Sequence, residues 1–233
     1  MGKIVEQQAK KLSISVSKII YNYDELNTYV FCNNEVAIEF TSPLSCLKNI
    51  KVLASKGVNI VCGTTGWLDY IDQVKQLVSK NRIGFIYASN FSRGMNIFWR
   101  IIDAASLIIN KFSEYNIMGH EIHHKDKKDT PSGTALITAQ ILINNIKRKK
   151  RISTCSIKKT IHNDEIHISS SRNGSTVGTH QFLFDSANDV IRISHSSKCR
   201  TSYAQGAIQC AQWIKDKKGF YNIDHFFREI MNE

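Results

Sequence analysis

Glu121-Ile-His-His-Lys-Asp-Lys-Lys-Asp-Thr-Pro-Ser-Gly-Thr-Ala135 decides how the rest of the chain is read. Its first half gathers two histidines and several lysines. Its second half, Pro131 to Thr134, is a turn feeding a helix that begins near Ala135 and runs through Ile143. A helix N-terminus presents unpaired backbone N–H groups and the positive end of the peptide dipole, so it attracts anions. Gly133 allows a ligand close to the backbone, and Ser132 and Thr134 add hydroxyl groups. His123, His124 and Lys127, just upstream, are suited to hold a carboxylate and deliver a proton beside it. A capped helix after a solvated basic loop would explain the turn alone. It leaves unexplained two histidines, a lysine and an Asp-x-Pro stop in one segment, and the pattern points to an anion-binding catalytic site.

Upstream, Val36–Phe40, Val58–Cys62 and Ile83–Tyr87 read as strands, with helices over Leu44–Lys56 and Leu68–Asn81 between them. Gly57 closes the first of these helices as a C-cap glycine does. Such alternation with short connections predicts a parallel sheet with crossover helices, whose ligands bind beyond the carboxyl ends of the strands. Gly63-Thr64-Thr65-Gly66 and Ala88-Ser89-Asn90-Phe91 both lie at such ends. One glycine-bounded turn is a weak signal; two on consecutive strands, ahead of the histidine segment, indicate a nucleotide site. Before them, residues 1–11 read as a helix and Ile14–Ile20, alternating and β-rich, as a strand.

Downstream, Met95–Phe112 predicts a long helix and Asn116–Ile122 a strand that delivers the histidines. Thr154–Thr160, Glu165–Ser171, Gln181–Asp185 and Val190–Ser196 are short and alternating, as antiparallel strands are. Helices over Tyr203–Lys217 and Asp224–Met231 end the chain. The expected fold class is α/β, a Rossmann-like parallel-sheet domain plus an α+β domain with a largely antiparallel sheet. The expected boundaries are residues 1–91 with 200–233 for the dinucleotide-binding domain and 92–199 for the substrate-binding domain.

The 233 residues are 42% apolar and 22% charged, an ordinary globular balance with material for a sizeable core. No apolar run reaches the roughly 18 residues a membrane span needs, and the first residues are too polar for a secretory signal. Cys32, Cys46, Cys62, Cys155, Cys199 and Cys210 are scattered without metal-ligand spacing, which suits reduced thiols in the cytoplasm and no metal site. His162, His167, His180 and His195 have no clustered partner in sequence and read as surface or core histidines. The net charge of +11 is compatible with nucleic acid, acidic membranes or small polyanions. Its densest block, Lys147–Arg151, falls where the helix from Ala135 ends, a favourable place for cations, and has no interleaved aromatics to stack bases. It reads as a solvated helix end, with no nucleic-acid or membrane partner. The abundance of Lys, Asn and Ile also fits drift in an AT-rich genome.

The string Glu-x-His-His-x-x-Lys-x-Asp-x-Pro-Ser-Gly-Thr-Ala resembles the signature of the dihydrodipicolinate reductases, NAD(P)H-dependent enzymes of diaminopimelate and lysine biosynthesis. The resemblance extends to Glu39-Phe-Thr-x-Pro43, where the family carries Asp in place of Glu39, and to the Gly63–Thr65 and Ala88–Phe91 loops. It continues through Arg172-Asn-Gly174, Val177-Gly-x-His180 and His195-x4-Arg200-x2-Tyr203-Ala-x-Gly206-Ala207. It implies NADH or NADPH as cofactor, held at the nicotinamide end by Gly63, Thr64, Thr65, Ala88, Ser89, Asn90 and Phe91. It implies reduction of a dihydrodipicolinate-type cyclic dicarboxylate to tetrahydrodipicolinate. By resemblance, His123 is the general acid, and Lys127 holds a carboxylate and assists proton delivery. His124, Ser132, Gly133 and Thr134 contact substrate. Arg200 has a family counterpart near the domain junction. The resemblance also implies a homotetramer built through the sheet of the second domain.

At the front the chain departs from a dinucleotide fold, which opens with an apolar strand and a glycine-rich turn. Met1-Gly2 aligns with the end of that turn, leaving unmatched a strand and loop of roughly a dozen residues. A start codon assigned too late is the expectation. The rival is a degenerate, basic reductase-fold binding protein without catalysis. No ribose-binding acid is assigned near Tyr21-Asn22 or Asp24, which leaves NADH against NADPH open.

Overall fold

The computed structural model of the protein describes residues 1–154 and 160–232. Two compact units are formed, Met1–Arg93 with Arg200–Glu233, and Gly94–Cys199.

The first unit is built on a parallel sheet of β1 (Val36–Glu39), β2 (Asn59–Cys62), β3 (Gly84–Tyr87) and β9 (Gly219–Asn222), in that spatial order. Alternation along the central strands fills both faces. Ile60, Cys62 and Phe85 join one core with Cys46, Ile50 and Leu53 of α3 (Pro43–Ser55) and Val74 and Val78 of α4 (Ile71–Asn81). Val61 and Ile86 join the other, with Ala207, Cys210 and Ile214 of α7 (Thr201–Ile214) and Phe226 and Phe227 of α8 (Ile223–Asn232). Strands covered on both faces read as continuous apolar runs, and β2 is buried throughout. Helix α3 starts where it does because the Ser42 side chain accepts from Ser45 N and Pro43, with φ already helical, occupies the first turn.

Three expectations for this unit are corrected. Residues 14–20 form no strand. Between them and β1 lies a groove of about 630 Å³, also lined by Val5 and Ala9 of α1 (Gly2–Lys11) and by Ile208 and Ala211. A strand exists by pairing its backbone, and across this gap Ile14–Ile20 has no ladder to join. A short helix α2 (Tyr23–Thr28) is present although none was expected. The Asn22 side chain accepts from Glu25 N, and Tyr21 N donates to the Glu25 carboxylate. That reciprocal arrangement is close to a capping box. The four-residue strand β9 was also not expected.

The second unit is a five-stranded sheet in the order β5 (Arg151–Ser153), β6 (Glu165–Arg172), β4 (Asn116–His123), β7 (Gly178–Asp185), β8 (Val190–Ser197). The sheet is mixed, where a largely antiparallel one was expected. β5 and β4 run parallel to β6, and β7 pairs antiparallel with both β4 and β8. Helix α6 (Gly133–Asn145) intervenes between β4 and β5, and a crossover of this kind is what lets strands return parallel. Of the expected strand Thr154–Thr160, residues 155–159 lie outside the described residues. Helix α5 (Arg93–Ile109) buries Met95, Phe98, Trp99, Ile102 and Ile109 at helical spacing, and α6 (Gly133–Asn145) buries Ala135, Ala139 and Leu142 beside them. The Trp99 indole N–H donates to the Thr138 hydroxyl at 2.9 Å between these helices.

The basic block after α6 is not simply solvated. Lys149 is 1% exposed, and its ammonium donates to Asn163 O, Glu165 O and Asn116 Oδ1. Arg148 donates to Ile109 O and Tyr115 O.

Candidate active site

Strand period sets the site. Ile117, Gly119, Glu121 and His123 of β4 point to one face, as do Gly178, His180, Phe182 and Phe184 of β7. Pairing assembles these into cross-strand rows, and each row sets the character of that level of the face. Ile117 lies opposite Phe184. Gly119 lies between Ile168 and Phe182, whose side chains fill the space a Cβ would occupy. At the next level the face turns polar, with Ser170, Glu121, His180 and His195 in one row across four strands. Arg172 and His123 follow at the sheet's end.

Glu121 is fully buried. Ser132 N donates to both its oxygens, at 3.0 and 3.1 Å, and the Ser170 hydroxyl donates to Oε1 at 2.9 Å. The Arg172 guanidinium stands 3.5 Å from Oε1. Two histidine Nδ1 atoms converge on Oε2, His123 at 3.6 Å and His180 at 3.9 Å, and neither has a hydrogen-bond partner. Burial pushes the Glu121 carboxyl up, but the donors of Ser132 and Ser170 and the charge of His123 outweigh it, so it stays below the ordinary carboxylate value. Burial pushes both histidines down; the Glu121 charge opposes this without cancelling it, and His180 falls to about 4. Glu121, His123 and His180 are close enough together to suit a metal ion. The Arg172 guanidinium, 3.5 Å from the other oxygen of the same carboxylate, would repel a cation there, so the trio is better matched to protons.

The same carboxylate anchors the anion-binding turn. Ser132 is the N-cap of α6, and its hydroxyl accepts from Ala135 N at 3.2 Å. It is 2% exposed, so its part is to shape the turn. Gly133 is exposed with open space around it, Thr134 is half-buried, and the first-turn N–H groups of both remain for a ligand. The Thr130–Pro131 bond before the turn is cis. His124 is half-buried on the strand's end, and Lys127, also half-buried, is paired with Asp129 at 2.7 Å. Arg172 braces the loop by donating to Lys127 O, Asp129 O and the Thr130 hydroxyl. His123, His124, Lys127, Ser132, Gly133 and Thr134 thus belong to one strand–loop–helix segment of the second unit. Sequence reading gave no role in the site to Glu121, Ser170, Arg172 or His180, which complete it from β4, β6 and β7. His180 in particular is clustered, contrary to expectation, because the β4–β7 register sets it opposite Glu121.

In the first unit, Gly63–Thr65 and Ala88–Phe91 leave the carboxyl ends of the neighbouring strands β2 and β3. Gly63 has no room for a side chain, since a Cβ would stand 2.0 Å from the Phe40 ring. The Thr64 hydroxyl accepts from Thr41 N at 2.8 Å, which ties this loop to the end of β1. Asn90 Oδ1 accepts from Ser92 N at 2.8 Å, and Gly206 of α7 meets Phe91 O so closely that a Cβ would lie 1.8 Å away. Thr65 and Ser89 are exposed at the two tips. Rigid loops with exposed hydroxyls at the carboxyl edge of a parallel sheet fit a dinucleotide.

A doubly covered parallel sheet with such loops, joined in one chain to a sheet carrying histidines and a helix N-terminus, is the arrangement of a two-unit protein built for a dinucleotide and an anion. Comparison with known proteins narrows this. The family models "Dihydrodipicolinate reductase, N-terminus" and "Dihydrodipicolinate reductase, C-terminus" match residues 2–91 and 94–227. A 4-hydroxy-tetrahydrodipicolinate reductase of Christiangramia forsetii is 34% identical over 99% of this chain and 95% of its own length. One from Archaeoglobus fulgidus is 36% identical over 82% of this chain and 75% of its own. Among solved structures, a dipicolinate-bound dihydrodipicolinate reductase from Paenisporosarcina sp. TG-14 superposes with a TM-score of 0.62 at 26% identity, covering 81% of this chain and 72% of that one. The chain belongs to the dihydrodipicolinate reductase family, and it is an NAD(P)H-dependent oxidoreductase.

Proposed function

We propose that this chain reduces 4-hydroxy-tetrahydrodipicolinate to tetrahydrodipicolinate, a step of diaminopimelate and lysine biosynthesis, with residues 92–199 binding substrate and residues 1–91 and 200–233 binding NADH or NADPH. The observation that carries the reading is the segment 121–135, where one buried carboxylate, Glu121, accepts from Ser132 N at an open helix N-terminus and faces the buried His123 imidazole at 3.6 Å. Gly63–Thr65 and Ala88–Phe91 would hold the nicotinamide half of the cofactor, which supplies a hydride when bound. The first-turn N–H groups of Gly133 and Thr134 and the Thr134 hydroxyl bind one substrate carboxylate, with His124 beside it. Lys127 exchanges Asp129 for the second carboxylate. The substrate's 4-hydroxyl leaves as water, which creates a ring double bond; hydride then adds to one of its carbons, and His123, as imidazolium, gives its proton to the neighbouring carbon to complete tetrahydrodipicolinate. A dianionic substrate beside His123 raises its proton affinity, so binding and protonation are coupled.

His123→Gln should lower kcat by about 10²–10⁴-fold, the usual contribution of a positioned general acid, and leave KM within a few-fold. Thr134→Val should do the reverse, raising KM about tenfold through one lost hydrogen bond to a charged group. Steady-state kinetics on both variants checks the assignment, and a His123→Gln enzyme with normal kcat and raised KM would remove His123 from the acid's role.

The exposed Val190 and Ile191 on β8, an edge strand of the second sheet, support assembly into a homotetramer through that sheet, which light scattering would test. Cys46 and Cys62 stand as free thiols 3.5 Å apart, which suits a reducing cytoplasm. Among the described residues no helix is long and apolar enough to cross a membrane. The reading as a basic binding protein without catalysis is not favoured. Lys149 and Arg148, from the densest basic block, are spent on the protein's own carbonyls.

A further inference from the structure

The buried row beside His123 holds more ionisable groups than the reaction itself requires. Two imidazole Nδ1 atoms, on adjacent strands, face one carboxylate oxygen, at 3.6 Å for His123 and 3.9 Å for His180, with the rings edge to face and their centroids 5.1 Å apart. Both Nδ1 atoms are buried and lack a partner, so an N–H on either can be satisfied only by Glu121 Oε2 or not at all. Oε1 is already committed to Ser132 N, Ser170 and Arg172.

We infer that Glu121 is a positioning residue that sets the charge state of His123, and that His180 competes with His123 for the same carboxylate oxygen. The inference rests on the reading of His123 as the general acid and assigns it a control. A general acid at Nε2 needs its second proton on Nδ1, and the carboxylate at Nδ1 both fixes that proton and stabilises the imidazolium. When Nε2–H has passed to the substrate carbon, the neutral ring that remains keeps its Nδ1 proton toward Glu121. Gly178 leaves the Nε2 edge free of a side chain, since a Cβ there would stand 2.9 Å from Nε2. His180, 4% exposed and neutral, stays as a competing donor that limits how tightly Glu121 holds the proton of His123. The same carboxylate caps the start of the substrate-binding helix through Ser132 N, so the anion site and the proton site share one group.

The charged and titratable groups facing His123 come from every neighbouring element. They are Glu121 on its own strand, Lys127 and Asp129 in the following loop, Arg172 on β6 and His180 on β7, with His195 on β8 behind His180. Only Glu121 and Asp129 favour the proton; the cations and burial oppose it. Removing the Glu121 charge therefore lowers the proton affinity of His123, and removing His180 raises it.

The test is a titration of the His123 Cε1–H signal by NMR in the full-length protein, assigned by its loss in His123→Gln. Glu121→Gln keeps the shape and the acceptor for Ser132 N, and its His123 midpoint should lie at least one pH unit below wild type, a tenfold loss of proton affinity. His180→Phe should move the midpoint the opposite way, by about half a unit. A purely structural role for either residue would change stability without shifting the midpoint in opposite senses. Should Glu121→Gln fail to fold, His180→Phe decides alone, and a midpoint unchanged or lowered there overturns the inference. The readout needs neither substrate nor cofactor. A normal kcat in His123→Gln would refute the catalytic reading and still leave the Glu121–His123 coupling measured.

Discussion

Burying His180 beside His123 makes folding itself sensitive to acid. Its pKa in the folded chain is about 4, against about 6.5 for an unperturbed histidine, because burial disfavours the charged ring. Between those values the unfolded chain takes up a proton that the folded chain refuses. Stability therefore is full above pH 6.5 and is lost as pH falls toward 4, by up to about 3 kcal/mol for this one group. Urea unfolding of wild type and His180→Phe at pH 7.5 and pH 4.5 checks it. The variant should lose less stability over that interval, and an equal loss in both would show that other groups carry the acid sensitivity. His123, Lys127 and the Ser132–Thr134 turn were legible in sequence because they are contiguous, so their chemistry is dense along the chain. His180 was not, because its significance comes from pairing register. Only when His180 lies opposite Glu121 does a lone histidine in a Gly-x-His sequence become part of a cluster.

At the scale of elements, packing overrode the local reading where polar side chains turned inward. The Lys147–Arg151 block looks solvated because five neighbouring cations repel burial. Yet the end of α6 delivers Lys149 under β6, where it meets the carbonyls of Asn163 and Glu165 and the side chain of Asn116. Lys149→Met removes the donor and leaves those acceptors buried, at about 1–3 kcal/mol for each that finds no water. A loss of about 3 kcal/mol is expected, read as a lower urea midpoint at unchanged slope. Exposed Lys147→Met should stay within about 0.5 kcal/mol of wild type. Equal effects of the two substitutions would sink the structural role of Lys149. The helices and most strands were legible from their period, since burial on one or two faces leaves a repeat in the sequence. Residues 14–20 carry such a repeat without forming a strand, because alternation describes a side-chain pattern and a strand also needs a backbone neighbour. The four residues of β9 are too few to show a period, although they complete one edge of the first sheet. For α2 the signal was present, in Asn22 with Glu25 three residues on, but its six residues are outweighed by the polar surroundings.

At the scale of the whole molecule, the chain leaves the first unit at Arg93 and returns at Arg200, and each unit keeps its own apolar core. Separate cores mean that ligands of the two units should protect separate amides from exchange, since local opening is governed by local contacts. The nucleotide reading places NADH or NADPH on the loops after β2 and β3, so either should slow exchange at residues 62–66 and 88–92. A planar dicarboxylate such as dipicolinate, added alone, should slow it at residues 121–135, above all at Gly133 and Thr134, whose first-turn N–H groups lack helical partners. Binding at a hundred times the dissociation constant stabilises the folded state by about 2.7 kcal/mol, which is ample for detection. Hydrogen–deuterium exchange read by mass spectrometry separates these segments. Dicarboxylate protection confined to the first unit would refute the placement of the anion site at the start of α6. Cofactor protection confined to the second would refute the reading of the Gly63 and Ala88 loops. Protection in both units by either ligand alone would instead show that one ligand changes the stability of the whole chain, which the units' separate cores argue against.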